Sequence, residues 1–257
     1  MSLIHISLVD LALALGFIAV VIVLIRIEHL GVEKALFVGA VRAMAQLLAV
    51  GYVLKAVFDL NHWYWVVLVL LVMTVVAAHT ARKRQAVAIP HAFWTMAAAI
   101  GVAAGIVLGS LLLVILGVKP WYQPQYVVPL AGIIIASAMN TAALSVDRFL
   151  SDIRQNRPLV EAAVLLGATA KESCRPFSKA AVRAGMMPHI NTMMVVGIVQ
   201  LPGMMTGQIL SGVAPAEAVR YQIVIIYCLV AGAAIASLTA LSIVRRLVFN
   251  RRDQLTL

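Results

Sequence analysis

Seven apolar runs recur along this chain with short polar turns between most of them: about 6–25, 35–58, 63–81, 93–117, 126–146, 192–210 and 218–244. A helix rises 1.5 Å per residue, so about 20 apolar residues cross a hydrocarbon core of roughly 30 Å. In that medium every backbone N–H and C=O needs a partner inside the protein, and a helix supplies one within its own segment. Composition excludes a soluble alternative. The chain is 63% hydrophobic and only 12% charged, where soluble domains carry roughly 25% charge. The expected fold is an all-α polytopic membrane protein with about seven transmembrane helices, one domain over residues 1–257.

Charge sets the expected orientation. No Lys or Arg precedes the first run, and Arg26 follows it. That order does not fit a signal peptide. With the N-terminus outside and the C-terminus cytoplasmic, 16 of the 20 Lys and Arg fall inside. Lys55, Lys119 and Arg220 fall outside, and Arg42 lies within a span. This is the positive-inside asymmetry. The formal net charge of +10 then reads as attraction to anionic lipid, and no nucleic-acid partner is expected. Trp63-Tyr64-Trp65 and Trp121-Tyr122 stand where interfacial aromatic belts do.

One long stretch departs from the pattern. From Asp147 to about residue 190 the sequence is charged and helical, with seven Lys and Arg between Arg148 and Arg183. Residues 152–166 and 171–186 read as amphipathic helices, broken at Pro158 and Pro176. Over 40 polar residues in a membrane protein fit a cytoplasmic docking surface.

No catalytic machinery is legible. The sequence lacks GxxxxGK[ST], HExxH and GxSxG. Nearly all of its ten acidic residues lie outside the apolar runs, Asp10 standing near the outer end of the first. Ion-coupled carriers place carboxylates at membrane depth. Cys174 and Cys228 form no metal-ligand spacing. The expectation is therefore a non-enzyme with no catalytic, cofactor-binding or metal residues of its own. Energy for uphill transport would come from another polypeptide.

The residues in the polar stretch fit that idea. Glu161-Ala162-Ala163, with Gly167 six places after the Glu, resembles the coupling loop of ABC transporter permeases. Small residues let a short helix seat in a groove, the Glu offers a charge, and the Gly ends the helix. In ABC importers a Pro follows that Gly closely, whereas here Pro188 comes 21 residues later. A broader resemblance covers almost the whole chain. Arg42-Ala43-Met44-Ala45-Gln46-Leu47, Leu166-Gly167-Ala168-Thr169 and Leu201-Pro202-Gly203-Met204-Met205-Thr206-Gly207 resemble the FetB-type ABC permease family.

The resemblance implies the membrane subunit of an inner (plasma) membrane transporter, paired with a second copy. A cytosolic FetA-like ABC ATPase would bind ATP and Mg. Glu161, Ala162, Ala163, Gly167, Ala168 and Thr169 would couple the two. The implied activity is export of iron or another metal, or a metal complex. ABC transport of a nucleotide sugar or other anionic solute is the alternative, and a stand-alone channel or carrier is a third.

Pro202 cannot donate a backbone bond to Ile198, and Gly203 follows it, so the sixth run should break near mid-membrane. Irregular backbone at that depth needs protein or a wet cavity around it. A translocation path or hinge is therefore expected around Arg42, Gln46, Asn140, Gln200, Pro202, Gly203 and Gly207. Other readings stay open for the amides, which commonly just join helices, and for Arg42, whose side chain can snorkel to the boundary. Met186, Met187, Met193, Met194, Met204 and Met205 cluster near the break. Thioethers suit Cu(I) better than iron, and adaptable packing is the ordinary role of Met. Gly101, Gly105 and Gly109 bare one helix face, either for packing within the subunit or for a dimer seam. His189 reads as a polar surface or interface group.

Overall fold

Apolar runs without strand-breaking turns leave the backbone one way to satisfy itself, and it takes it. The computed structural model describes residues 7–60, 62–85, 87, 89–250 and 254–255. It is 82% helical, with no named strand among the described residues. The helices are α1 (Leu8–Ile27), α2 (Glu33–Leu60), α3 (Trp63–Lys83), α4 (Ala92–Ser110), α5 (Pro124–Gln155), α6 (Arg157–Leu165), α7 (Ala170–Ser173), α8 (Arg175–Val195), α9 (Gly203–Leu210) and α10 (Pro215–Val248). A π-helical turn, Leu111–Ile115, prolongs α4.

Among the described residues five helices are long and apolar enough to cross a membrane, carried on α2, α3, α4, α5 and α10, and Leu13–Ile27 of α1 is a shorter apolar helix. The sixth apolar run is interrupted where expected. Helix α8 stops at Val195 and α9 starts at Gly203.

By contacts the chain divides into two units: Met1–Asn61 with Leu210–Gly212, and His62–Ile209 with Val213–Leu257. In the first, α1 packs against α2 as a hairpin. Ser7 and Asp10 cap its entry reciprocally, Ser7 Oγ accepting from the Asp10 N–H and the Asp10 carboxylate from the Ser7 N–H. In the second, α10 packs along α5, α4 and α8, while α5 also packs on α8, α4 and α3.

Helix α5 is the axis of that second unit. Its 32 residues span about 48 Å, well beyond a hydrocarbon core of roughly 30 Å. The polar stretch thus begins inside a helix: Asp147 and Arg148 are the next turn of α5, and Phe149, Leu150 and Ile153 beyond them are fully buried. The two expected proline breaks take the form of helix starts. Pro158 and Pro176 each sit in the first turn of the next helix, α6 and α8, where a missing N–H costs nothing.

Candidate functional site

Ser137, Thr141 and Ser145 recur every four residues on α5 and so lie on one face. All three are buried. Helix α8 lies tightly against them. A Cβ added to Gly185 would run into the Ser145 hydroxyl and come within 3.0 Å of the Thr141 carbonyl oxygen. One turn further, His189 Nε2 is 3.0 Å from Thr141 Oγ1 and 3.3 Å from Ser137 Oγ. Ser137 donates its hydroxyl proton to the Leu229 carbonyl of α10 at 3.2 Å. Its oxygen can then only accept from His189, which requires a proton on Nε2, and Thr141 Oγ1 accepts from the same N–H. Below them the Ser237 hydroxyl of α10 donates to Ser145 at 2.8 Å, both residues fully buried. Three helices thus share one polar seam in a mostly apolar core. Each such bond contributes about 0.6 kcal/mol between membrane helices.

A second face of α5 carries Asn140. The Arg84 guanidinium at the end of α3 donates to its Oδ1 at 2.6 Å. These two, with Ala143, Leu144 and Asp147, line a hollow of about 300 Å³.

The break holds itself partly together. Gly197 takes a positive φ and donates its N–H to the Gln200 carbonyl at 3.0 Å, and the Val199 N–H donates to Val195 at 3.0 Å. Ile198, Val199 and Leu201 are all strongly exposed. On α9, Gln208 leaves its buried side-chain oxygen without a hydrogen bond.

The α6–α7 connector is built from local motifs. The Gly167 N–H donates to Val164 at 2.9 Å and the Ala168 N–H to Ala163 at 3.0 Å. With Gly167 at φ +94°, this pair of bonds is a Schellman ending. Thr169 then opens α7 in a capping box, receiving the Glu172 N–H on Oγ1 while donating its own N–H to the Glu172 carboxylate at 2.9 Å. These bonds hold the Glu172 carboxyl below its usual range. On α6, Arg157 pairs with Glu161 at 2.7 Å. Ala162 is exposed, and the tip of α6 presents Leu165 and Leu166 at 88% and 89% exposure. Inward, Val160 is buried. It lines, with Arg157, Glu161, Val164, Leu165, Phe249, Gln254 and Leu255, a hollow of about 390 Å³. Phe249 pairs with Leu255 as an antiparallel bridge beside α6.

The structure distributes the expected site residues. Glu161, Ala162, Ala163, Gly167, Ala168 and Thr169 form one continuous connector. Asn140 is engaged by Arg84. Gln200, Pro202 and Gly203 lie in or at the end of the break, and Gly207 lies on α9. Arg42 and Gln46 stand on α2 of the first unit, both exposed. Sequence reasoning did not single out Gly185, Ser145, Ser237, Arg84 or the Phe249–Leu255 bridge, and the partners of His189 were not legible. The four-residue spacing of hydroxyls on α5 was the available signal. Among the described residues no three His, Cys, Asp or Glu gather as metal ligands. Cys174 and Cys228 are unpaired and buried.

Long apolar helices packed around α5, with few polar groups buried between them, define a multi-pass helical membrane protein. The chain belongs to the uncharacterised protein family UPF0014, whose model matches residues 8–249. It is 37% identical to a UPF0014 membrane protein of Synechocystis over 99% of this chain and 98% of that protein. It is 34% identical to the "Probable iron export permease protein FetB" of Escherichia coli, over 96% and 93% of the two chains. The Arabidopsis thaliana "Protein ALUMINUM SENSITIVE 3" is 32% identical over 89% of this chain and 82% of its own. No solved structure matches.

Proposed function

We propose that this chain is the membrane-spanning permease subunit of an ABC transporter that exports iron or another metal, free or complexed, across the plasma membrane. ATP and Mg²⁺ are bound and hydrolysed on a separate cytosolic ATPase, and two permease copies complete the transporter. The near full-length likeness to the E. coli protein named as an iron export permease carries this reading. The Lys and Arg asymmetry supports a cytoplasmic C-terminus and a cytoplasmic α6–α7 connector. The exposed tip of α6 supports docking, since Leu165 and Leu166 have little reason to face water alone. The path runs by Asn140 and the α8–α9 break, around Gln200, Pro202, Gly203 and Gly207, where Gln200 supplies a side-chain amide and the backbone leaves regular helix.

Transport by vesicles holding the purified permease and its ATPase tests the substrate, with iron, other metals and nucleotide sugars compared. ATP-dependent export of a metal is expected. Transport of a nucleotide sugar instead would replace the substrate while leaving the ABC assignment in place. Ala162→Arg tests the docking. It should abolish permease-stimulated ATPase activity with the helical content unchanged, and full stimulation by the variant would sink the docking reading.

A further inference from the structure

Two segments far apart in sequence enclose a cationic hollow. Thr169, Ala170 and Lys171 at the start of α7 meet Arg245, Arg246, Phe249 and Asn250 at the end of α10 around about 330 Å³. Among the described residues three cations line it and no carboxylate does. The ion pairs formed among the described residues, Arg148–Asp152 and Arg157–Glu161, lie within other helices. Glu172, the nearest acid in the chain to Lys171, is turned back onto the Thr169 N–H and hydroxyl. The Asn250 side-chain amide is spent on Gln254 at 2.8 Å. Like charges gathered on one concavity repel one another, and an anion there relieves this.

The place in the fold identifies the anion. Arg245 and Arg246 directly follow the apolar stretch of α10. The 34 residues of that helix reach about 51 Å, so its end emerges from a core of roughly 30 Å into the headgroup layer. Phosphate groups lie at that level. Arg forks match phosphate oxygens in pairs and Lys adds a point charge. Phe249, nearly buried beside them, offers an apolar wall to the glycerol end of a lipid.

We infer that this hollow binds a phosphate group, supplied by an anionic phospholipid and held by Lys171, Arg245 and Arg246. The inference holds whichever side of the membrane the connector faces, and it is independent of the transported substrate.

The test is lipid retention. Wild-type protein reconstituted in phosphatidylcholine with a minority of phosphatidylglycerol is re-extracted, washed and its bound lipid measured by native mass spectrometry. Phosphatidylglycerol should be enriched over phosphatidylcholine. Each cation near a charged surface adds about 1 kcal/mol, so Lys171→Gln or Arg246→Gln should each cut the enrichment about fivefold. Lys171→Arg should keep most of it, and Lys179→Gln on α8 should leave it unchanged. Circular dichroism checks that each variant retains its helices. Equal retention in wild type and both Gln variants overturns the inference. Displacement of the lipid by millimolar inorganic phosphate at matched ionic strength overturns the lipid source in favour of a soluble phosphate. Unaltered lipid retention with lost ATPase binding overturns it in favour of a protein partner.

Discussion

Helices α6 and α8 come from the same polar stretch and are held in opposite ways. Helix α8 is fixed by shape. Its Gly185 backbone sits against the Ser145 hydroxyl and the Thr141 carbonyl, and His189 closes the contact one turn on. Helix α6 is fixed at its ends, by a Pro in its first turn and a Gly beyond its last, with Val160 as its buried anchor. Val164 packs partly against the core, and Arg157, Leu159, Ala162 and Leu165 are left outward. A helix seated by backbone approach cannot shift without unpacking the bundle, whereas one held by caps and a few side chains is presented to something else. The difference separates the part of the stretch that is bundle from the part that is available surface.

The sharpest way to break this contrast is to load the tight contact. Gly185→Val puts two extra methyl groups where one Cβ already collides. It should cost about 3 kcal/mol or more, at the upper end of overpacking effects, and lower the unfolding temperature in detergent accordingly. A variant as stable as wild type would show that α8 is not seated on α5.

The matching change on the connector is Gly167→Val. There is open space around Gly167, but its φ of +94° disfavours a side chain. A β-branched residue there should cost about 2 kcal/mol, with the loss confined to α6 and α7. Hydrogen exchange should show faster exchange at Ala163 to Ala168 with α5 and α10 unchanged. Loss spread over the whole bundle would mean the connector is not a separate element.

Weaker still are the hydroxyls of the seam. Thr141→Val removes one bond worth about 0.6 kcal/mol between membrane helices, and His189→Leu removes that bond together with the contact to Ser137. In a double-mutant cycle with thermal unfolding as readout, the pair should couple by a similar amount. Additive effects would mean the two side chains do not meet.

What was legible in advance follows from the range of the physics. Apolar runs report solvent, and the missing donor of Pro202 disrupts its own turn, so the spans and the break could be read from neighbours in sequence. The helix ending at Gly167 was equally local, whereas the capping box from Thr169 to Glu172 that follows it was not read in advance. The seam depends on residues 48 to 92 positions apart, and nothing local says which glycine a neighbouring helix will touch. The face of Gly101, Gly105 and Gly109 drew attention because it is periodic. In the structure Gly105 and Gly109 have no atom within contact of an added Cβ. All three line an apolar hollow of about 550 Å³ with α3 and α5 side chains. The glycine with the tightest contact is Gly185, whose neighbour four residues earlier is the buried Ala181, not another Gly. Asn140 took the ordinary role of a membrane amide, joining a neighbouring helix through Arg84.

The smallest effect concerns how the connector is held at its α7 end, and it depends on pH. Glu172 is bonded by the Thr169 N–H and hydroxyl, and its carboxyl is held below the usual range for that reason first, with Arg175 and Lys171 adding a little. A depressed folded-state pKa means that the ionised form is the stabilising one. The contribution is present in full above the ordinary glutamate range and is lost as pH falls through the lowered value. Hydrogen exchange at the first α7 amides should therefore stay slow down to the ordinary range and quicken below it, once intrinsic exchange is corrected for. Glu172→Gln should remove that dependence, because a neutral amide keeps the shape without the titration. The α8 amides around Gly185, held by packing with no carboxylate among the contacts described for that glycine, should not follow the same curve. If both segments loosen together with acid, the connector and the bundle are one cooperative unit, and the contrast between α6 and α8 is one of exposure alone.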